Sequence, residues 1–214
     1  MYVARGVAGR LSPGLSAAVR TARRLFRAGS SKGFGIQSPW AYRFVRYVIG
    51  ERCPYYAYEA LAALWPDVSG DGRKLCELYL RIANFCQAAT AVDFAPSTGA
   101  YADYMRAGCR RTTIVDGGVF PWGDQGSAPA ADDYPLLVRM SAEGEWRRFY
   151  DALRQTARRG LMLIVEGIDK SPAAGGLWRE IVSDAGCTLT FDLGLCGIVY
   201  FDEHRYKQHY TVNL

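Results

Sequence analysis

The run Leu161-Met-Leu-Ile-Val-Glu166 constrains the fold more than any other part of the chain. Five consecutive apolar residues, set between Gly160 and an acid, leave no polar face to give to water. Such a strand is buried on both faces, as in a parallel sheet with helices on either side. Two further runs share its form: Ala89-Ala-Thr-Ala-Val-Asp93 and Thr112-Thr-Ile-Val-Asp116 are short, carry β-formers and end in carboxylates. If the strands are parallel, Asp93, Asp116 and Glu166 reach the same edge of the sheet.

Helical patterns alternate with these strands. Lys74 to Gln87 carries Leu75, Leu78, Tyr79, Ile82 and Phe85 at helical spacing, and a short helix is expected from about Ala100 to Ala107. Glu143 to Arg159 turns Trp146, Phe149, Tyr150 and Leu153 to one side and its arginines to the other, with Gly160 as its stop. Another helix is expected around Ala173 to Ala185, and Leu136 to Met140 reads as a further strand. After Thr188 the chain becomes all β, in three runs whose short connections predict antiparallel pairing. The fold class that results is α/β: a Rossmann-like, doubly wound, mostly parallel sheet with antiparallel C-terminal strands. Residues 1–73 form an N-terminal helical extension or cap, with helices at about 12–28 and from Ser38-Pro39. Residues 74–214 form the Rossmann-like domain, the whole making a single compact unit, for which 214 residues suffice.

Between Asp93 and the following helix lies Phe-Ala95-Pro-Ser97-Thr-Gly99, a loop of mostly small residues. A strand, a tight small-residue turn and a helix N-terminus make a nucleotide-type pocket. The free N–H groups of the helix attract negative charge, and small side chains let a ligand approach the backbone. Asp116 follows at the spacing at which a ribose-binding acid is expected. The structural alternative is that both acids merely end strands, with Gly117 and Gly118 turning the chain.

Six scattered cysteines without a Cys-x-x-Cys pair, and only two histidines, argue against a structural zinc site. No apolar run is long enough to span a bilayer, and the start of the chain lacks a signal-peptide core, so a cytoplasmic protein with reduced thiols is expected. The net charge of +5 is uneven: no acid precedes Glu51, whereas Arg5, Arg10, Arg20, Arg23, Arg24, Arg27, Lys32, Arg43 and Arg46 do. A solvated helix face, an anionic partner and an organellar transit segment are three readings of that asymmetry. The tyrosines of Cys53-Pro-Tyr55-Tyr56-Ala-Tyr58 either line a cleft or fill the core.

With these residues in view, the chain resembles the class I S-adenosylmethionine-dependent methyltransferases. More narrowly, it resembles a Bacteroidetes group marked by a Gly-Ile-His-Ser-Pro-Phe-type loop and a Pro-Tyr-Tyr-Ala-Tyr-Glu-type turn. Here these read Gly35-Ile-Gln-Ser-Pro-Trp40 and Pro54-Tyr-Tyr-Ala-Tyr-Glu59. The closing segments Thr190-Phe-Asp-Leu-Gly-Leu-Cys-Gly-Ile-Val-Tyr-Phe201 and Lys207-Gln-His-Tyr-Thr-Val are similar as well. The resemblance runs from about residue 15 to the end, apart from the middle. It implies S-adenosylmethionine as cofactor. Asp93 would sit by the methionine amino group, Ala95, Ser97 and Gly99 along the methionine part, and Asp116 on the ribose. Ser38 in its loop and Tyr56 would flank the pocket. Departures are plain too. Ala95 stands where the family usually has Gly, and Pro96 removes an N–H donor. The segment between Asp116 and Leu136 is short, and Arg139, Met140 and Ser141 stand where a terminal Asp is usual. Glu166-Gly167 replaces an Asp-Asp pair.

Three functions follow as expectations. The first is methyl transfer from S-adenosylmethionine to an unknown small-molecule or macromolecular acceptor, with Glu166 or Asp169 as base and no metal. The second is a methyltransferase fold that has lost its reaction and serves as a binding or scaffold protein, with a protein partner on the basic N-terminal helix. The third, ranked last, is nucleic-acid binding, in which Trp40 and Tyr42 beside Arg43 and Arg46 stack on bases.

Overall fold

A computed structural model describes residues 36–94, 98–116, 135–144, 146–157 and 159–214, with Asp116 and Thr156 described by their backbone alone. The helix expected at 12–28, the loop residues Ala95, Pro96 and Ser97, and the stretch 117–134 lie outside the described residues.

The described chain opens with helix α1 (Pro39–Phe44). The Ser38 hydroxyl accepts the Ala41 N–H at 3.3 Å, and Pro39 fits the first turn, where no N–H partner is needed. The helix runs on into a wider π turn, Val45–Ile49. Then come α2 (Tyr58–Leu64), α3 (Gly70–Cys86), β1 (Thr90–Phe94), α4 (Ala100–Gly108) and β2 (Thr113–Asp116). The second half holds β3 (Leu136–Ser141), α5 (Trp146–Thr156), β4 (Leu161–Glu166), α6 (Pro172–Ser183), β5 (Leu189–Asp192), β6 (Cys196–Phe201) and β7 (Gln208–Thr211). Helix α5 starts three residues later than its apolar pattern implies, because Gly144, at φ +77°, turns the chain before it. Helix α3 starts four residues before Lys74, with Asp71 in its first turn to complement the helix dipole.

The strands form one sheet in the order β2-β1-β3-β4-β6-β5-β7. β2, β1, β3 and β4 are mutually parallel, while β6 runs antiparallel to both β4 and β5. This is the doubly wound, mostly parallel sheet that the apolar runs require. One detail differs from the expected antiparallel ending. β7 pairs with β5, and does so in parallel. Both edges of β6 are taken, by β4 and β5, so β7 can join only outside β5. Leaving β6 in the reverse direction, it then runs the same way as β5.

Both faces of the sheet are covered. Along β4, Met162 and Ile164 pack with Phe44, Leu78, Tyr104 and Met105 on the α1, α3 and α4 side. Leu161, Leu163 and Val165 pack with Phe149, Leu153, Leu177 and Ile181 on the α5 and α6 side. All five apolar residues of β4 are at most 1% exposed, and among the described strands it alone is buried along its whole length. Residues of α1 and α2 share the first of these cores.

Candidate functional site

The chain leaves β1 through α4 to β2 on one side, while β3 lies on the other side of β1. The two crossovers diverge there, and the carboxyl ends of β1 and β3 border the crevice in which ligands of open α/β sheets bind. Strand register places Asp93 level with Asp116 on one side and with Arg139 on the other. Thr98 and Gly99 bring the loop back to α4, and the Thr98 hydroxyl accepts the Ala100 N–H at 3.2 Å.

Beneath this crevice runs a buried ionic network. Arg139 projects from β3 with its side chain 1% exposed. Its Nη1 donates to Asp93 Oδ1 at 2.9 Å and to the Phe94 carbonyl at 3.0 Å. Its Nε and Nη2 both donate to Glu166 Oε2, at 3.0 and 2.8 Å. Tyr79 of α3 donates its hydroxyl to the same Oε2 at 3.2 Å, and Tyr101 of α4 donates to Oε1 at 2.8 Å. The guanidinium carbon lies 4.6 Å from the centre of the Tyr101 ring, a cation–π distance, and the Tyr79 and Tyr101 rings meet edge to face at 5.1 Å. Burial opposes the charge on Arg139. The carboxylates of Glu166 and Asp93 outweigh it, so the guanidinium is held more firmly protonated than usual. Burial, then the Glu166 charge, pushes the Tyr79 hydroxyl well above its ordinary value, so it stays a donor. No buried side-chain nitrogen or oxygen among the described residues lacks a partner.

The network ties the ends of three parallel strands, β1, β3 and β4, to the two helices that cover them. Of the residues singled out by sequence, Asp93 and Glu166 are brought together, through Arg139 rather than directly. Asp169 is half-buried in the turn after β4. Gly99 precedes α4 and is exposed, yet a Cβ there would come within 3.1 Å of the Trp65 ring. Ala95 and Ser97, and the side chain of Asp116, lie outside what is described. Ser38 spends its hydroxyl on the α1 cap, and the adjacent Trp40 stacks on Tyr200, whose strand partner is Met162 near the start of β4. Ser38 is therefore anchored toward the opposite edge of the sheet from Glu166. Tyr56 is 77% exposed and donates to the Ala107 carbonyl at 3.4 Å, at the far end of α4 from Gly99.

Two residues of the site are given no role by the sequence alone. Arg139 is visible there only as the absence of an acid, although an arginine inside an otherwise apolar strand calls for buried carboxylate partners. Trp65 packs against Gly99 and donates its indole N–H to Asp103 Oδ2 at 3.0 Å. Nothing in its local sequence marks it. Among the described residues no cluster of histidines, cysteines and acids has the makings of a metal site.

The sheet order and the crevice define a Rossmann-like protein of the doubly wound class. Comparison with known proteins adds little beyond that. No family model matches the chain, and no curated protein matches it in sequence. Similar solved structures include the O-methyltransferase TomG from Streptomyces achromogenes, involved in tomaymycin synthesis and crystallised with SAM. It is 9% identical, with a TM-score of 0.46, covering 74% of this chain and 95% of that one. Cofactor-bound Rv0187 from MTB is 14% identical at a TM-score of 0.39, with coverages of 68% and 88%. The MycE methyltransferase of the mycinamycin biosynthetic pathway, in complex with Mg and SAH, is 16% identical at 0.43, with coverages of 96% and 65%. At such scores these likenesses carry no argument about activity, and the fold assignment rests on the sheet itself.

Proposed function

We propose that this chain is a methyltransferase-like protein that binds S-adenosylmethionine at the β1–β3 switch point and transfers its methyl group to an acceptor. The observation that carries the reading is the register of Asp93 with Asp116 at the carboxyl ends of adjacent parallel strands, beside the loop that enters α4. Two level acids next to a helix N-terminus suit a ligand with ribose hydroxyls and an extended polar tail. Asp116 takes the ribose, while the 95–99 loop follows the tail. Asp93 acts as part of the floor, because Arg139 already engages it. When bound, the cofactor supplies an electrophilic methyl group. The chain supplies position: a floor locked by Arg139, and Trp65 against Gly99 at the mouth of the loop.

General-base chemistry is assigned no role at Glu166. Both of its carboxylate oxygens are already engaged, Oε2 by the Arg139 guanidinium and the Tyr79 hydroxyl and Oε1 by the Tyr101 hydroxyl, so neither is turned toward an acceptor. Transfer in this reading relies on alignment, which methyl transfer chiefly requires.

The same network favours a second reading, a scaffold that has kept the fold and lost the reaction. Titration calorimetry and thermal shift with S-adenosylmethionine and S-adenosylhomocysteine separate the two. Saturable binding with a melting temperature that rises with ligand concentration supports the first. No heat and no shift at millimolar ligand leaves only the second.

A further inference from the structure

We infer that the outer face of α1 and the π turn that continues it is a docking surface for single-stranded nucleic acid. The inner face of this segment is spent on the core: Ala41, Phe44, Val45, Val48 and Ile49 are all buried. The outer face holds Tyr42, Arg43, Arg46 and Tyr47, all exposed, at positions that share one side of a helix. The two tyrosines are 42% and 56% exposed. Among the described residues neither arginine is held in an ion pair, and no acid precedes Glu51 in the chain.

Alternating flat rings and permanent cations match one chemistry closely. Bases of a single strand offer π faces to tyrosine, and the phosphates between them offer charge to arginine. An anionic membrane is a poorer match, because apart from the short ring of Pro39 the face carries no aliphatic side chain, Phe or Trp to insert among lipid chains. A duplex hides its base faces and would leave the tyrosines without partners. The structure also refines which residues take part. Trp40, which sequence alone groups with this cluster, stacks between Phe44 at 5.2 Å and Tyr200 at 4.3 Å and is taken by the core. Tyr47 takes its place. This surface is independent of the adenosyl site.

The test uses the full chain and a fluorescently labelled 12-mer of oligouridine, followed by anisotropy from 50 to 300 mM salt. A duplex of equal length and phosphatidylserine vesicles serve as comparison ligands. All four side chains point to solvent, so Tyr42→Ala/Tyr47→Ala and Arg43→Gln/Arg46→Gln keep the fold, which circular dichroism checks. The tyrosine pair should weaken single-strand binding by at least about fivefold per ring and leave the salt slope unchanged. The arginine pair should reduce the slope of log K against log salt by about 0.7 for each phosphate that is no longer neutralised. Duplex should bind more weakly than the single strand. The proposal is overturned if the tyrosine pair binds like the parent, since the basic residues before residue 35 would then suffice. Equal affinity for duplex, or binding to vesicles with none to the oligonucleotide, overturns it as well.

Discussion

Replacing Arg139 by methionine tests the central feature of the site. The side chain is 1% exposed and makes charge-assisted bonds to Asp93 and Glu166 and a further bond to the Phe94 carbonyl. Methionine keeps most of the volume and removes the charge. Two carboxylates then remain buried, and Glu166 keeps only its tyrosine donors. Breaking a buried pair by removing one partner costs about 3–5 kcal/mol. For a chain of this size each kcal/mol shifts the melting temperature by about 2–4 °C, so the variant should melt roughly 6–20 °C lower. Arg139→Lys should fall between, because a single ammonium cannot span three acceptors that a planar fork reaches. The decisive comparison is the triple variant Asp93→Asn/Arg139→Met/Glu166→Gln. It removes every charge while the Gln side-chain oxygen still accepts from one tyrosine, so it should regain most of what the single variant loses. Urea and thermal unfolding of the parent and the three variants at one pH give the numbers. A single variant within about 1 kcal/mol of the parent, or a triple variant no more stable than the single, would refute the claim that this network is ionic and mutually dependent.

Other expectations are simpler. Tyr101→Phe removes the 2.8 Å donor to Glu166 Oε1 and should cost about 1.5–3 kcal/mol in urea unfolding, since the acceptor is charged and buried. Gly197→Ala drives a methyl into the Trp178 ring on α6 and should cost about 1–3 kcal/mol by the same assay. Burial pushes the thiols of Cys76 and Cys86 up to about 12 and that of Cys187 to about 11. Their folded values lie above the unfolded one, so this stability is whole below the ordinary thiol value of 9.0 and is lost as pH rises toward 11–12. The urea midpoint should therefore fall between pH 8 and pH 10.5; an unchanged midpoint would contradict it. In the folded protein at pH 8, a thiol reagent should label Cys53 first, since it is exposed while Cys86 is half-buried and the others are buried.

Much of the architecture was legible in the residues, for identifiable reasons. A wholly apolar run that ends in an acid, such as Leu161–Glu166, reads as a strand buried on both faces, and the helices between the strands show their period in Leu75, Leu78, Tyr79 and Ile82. The parallel pairing of β7 was not legible, because short connections suggest neighbours in sequence. Here the neighbour's edge was already occupied by β4, which is long-range information. The site divided along the same line. Asp93, Asp116 and Glu166 announced themselves as strand ends, and their common edge follows from topology. Their partner Arg139 reads locally as a missing acid, since one residue cannot say which carboxylates lie across two strand pairings. Trp65 likewise meets Gly99 through tertiary packing alone.

The insertion of β6 between β4 and β5 has a consequence for handling and for synthesis of the chain. Until residues 196–201 arrive, β4 is the open margin of the sheet, and its six residues are of the kind that pair readily with copies of themselves. A fragment ending before Cys196, or a stalled chain whose β5–β6 hairpin has yet to swing into position, exposes an adhesive seam of Leu-Met-Leu-Ile-Val. Fragments of that length should precipitate, however well their first four strands are formed.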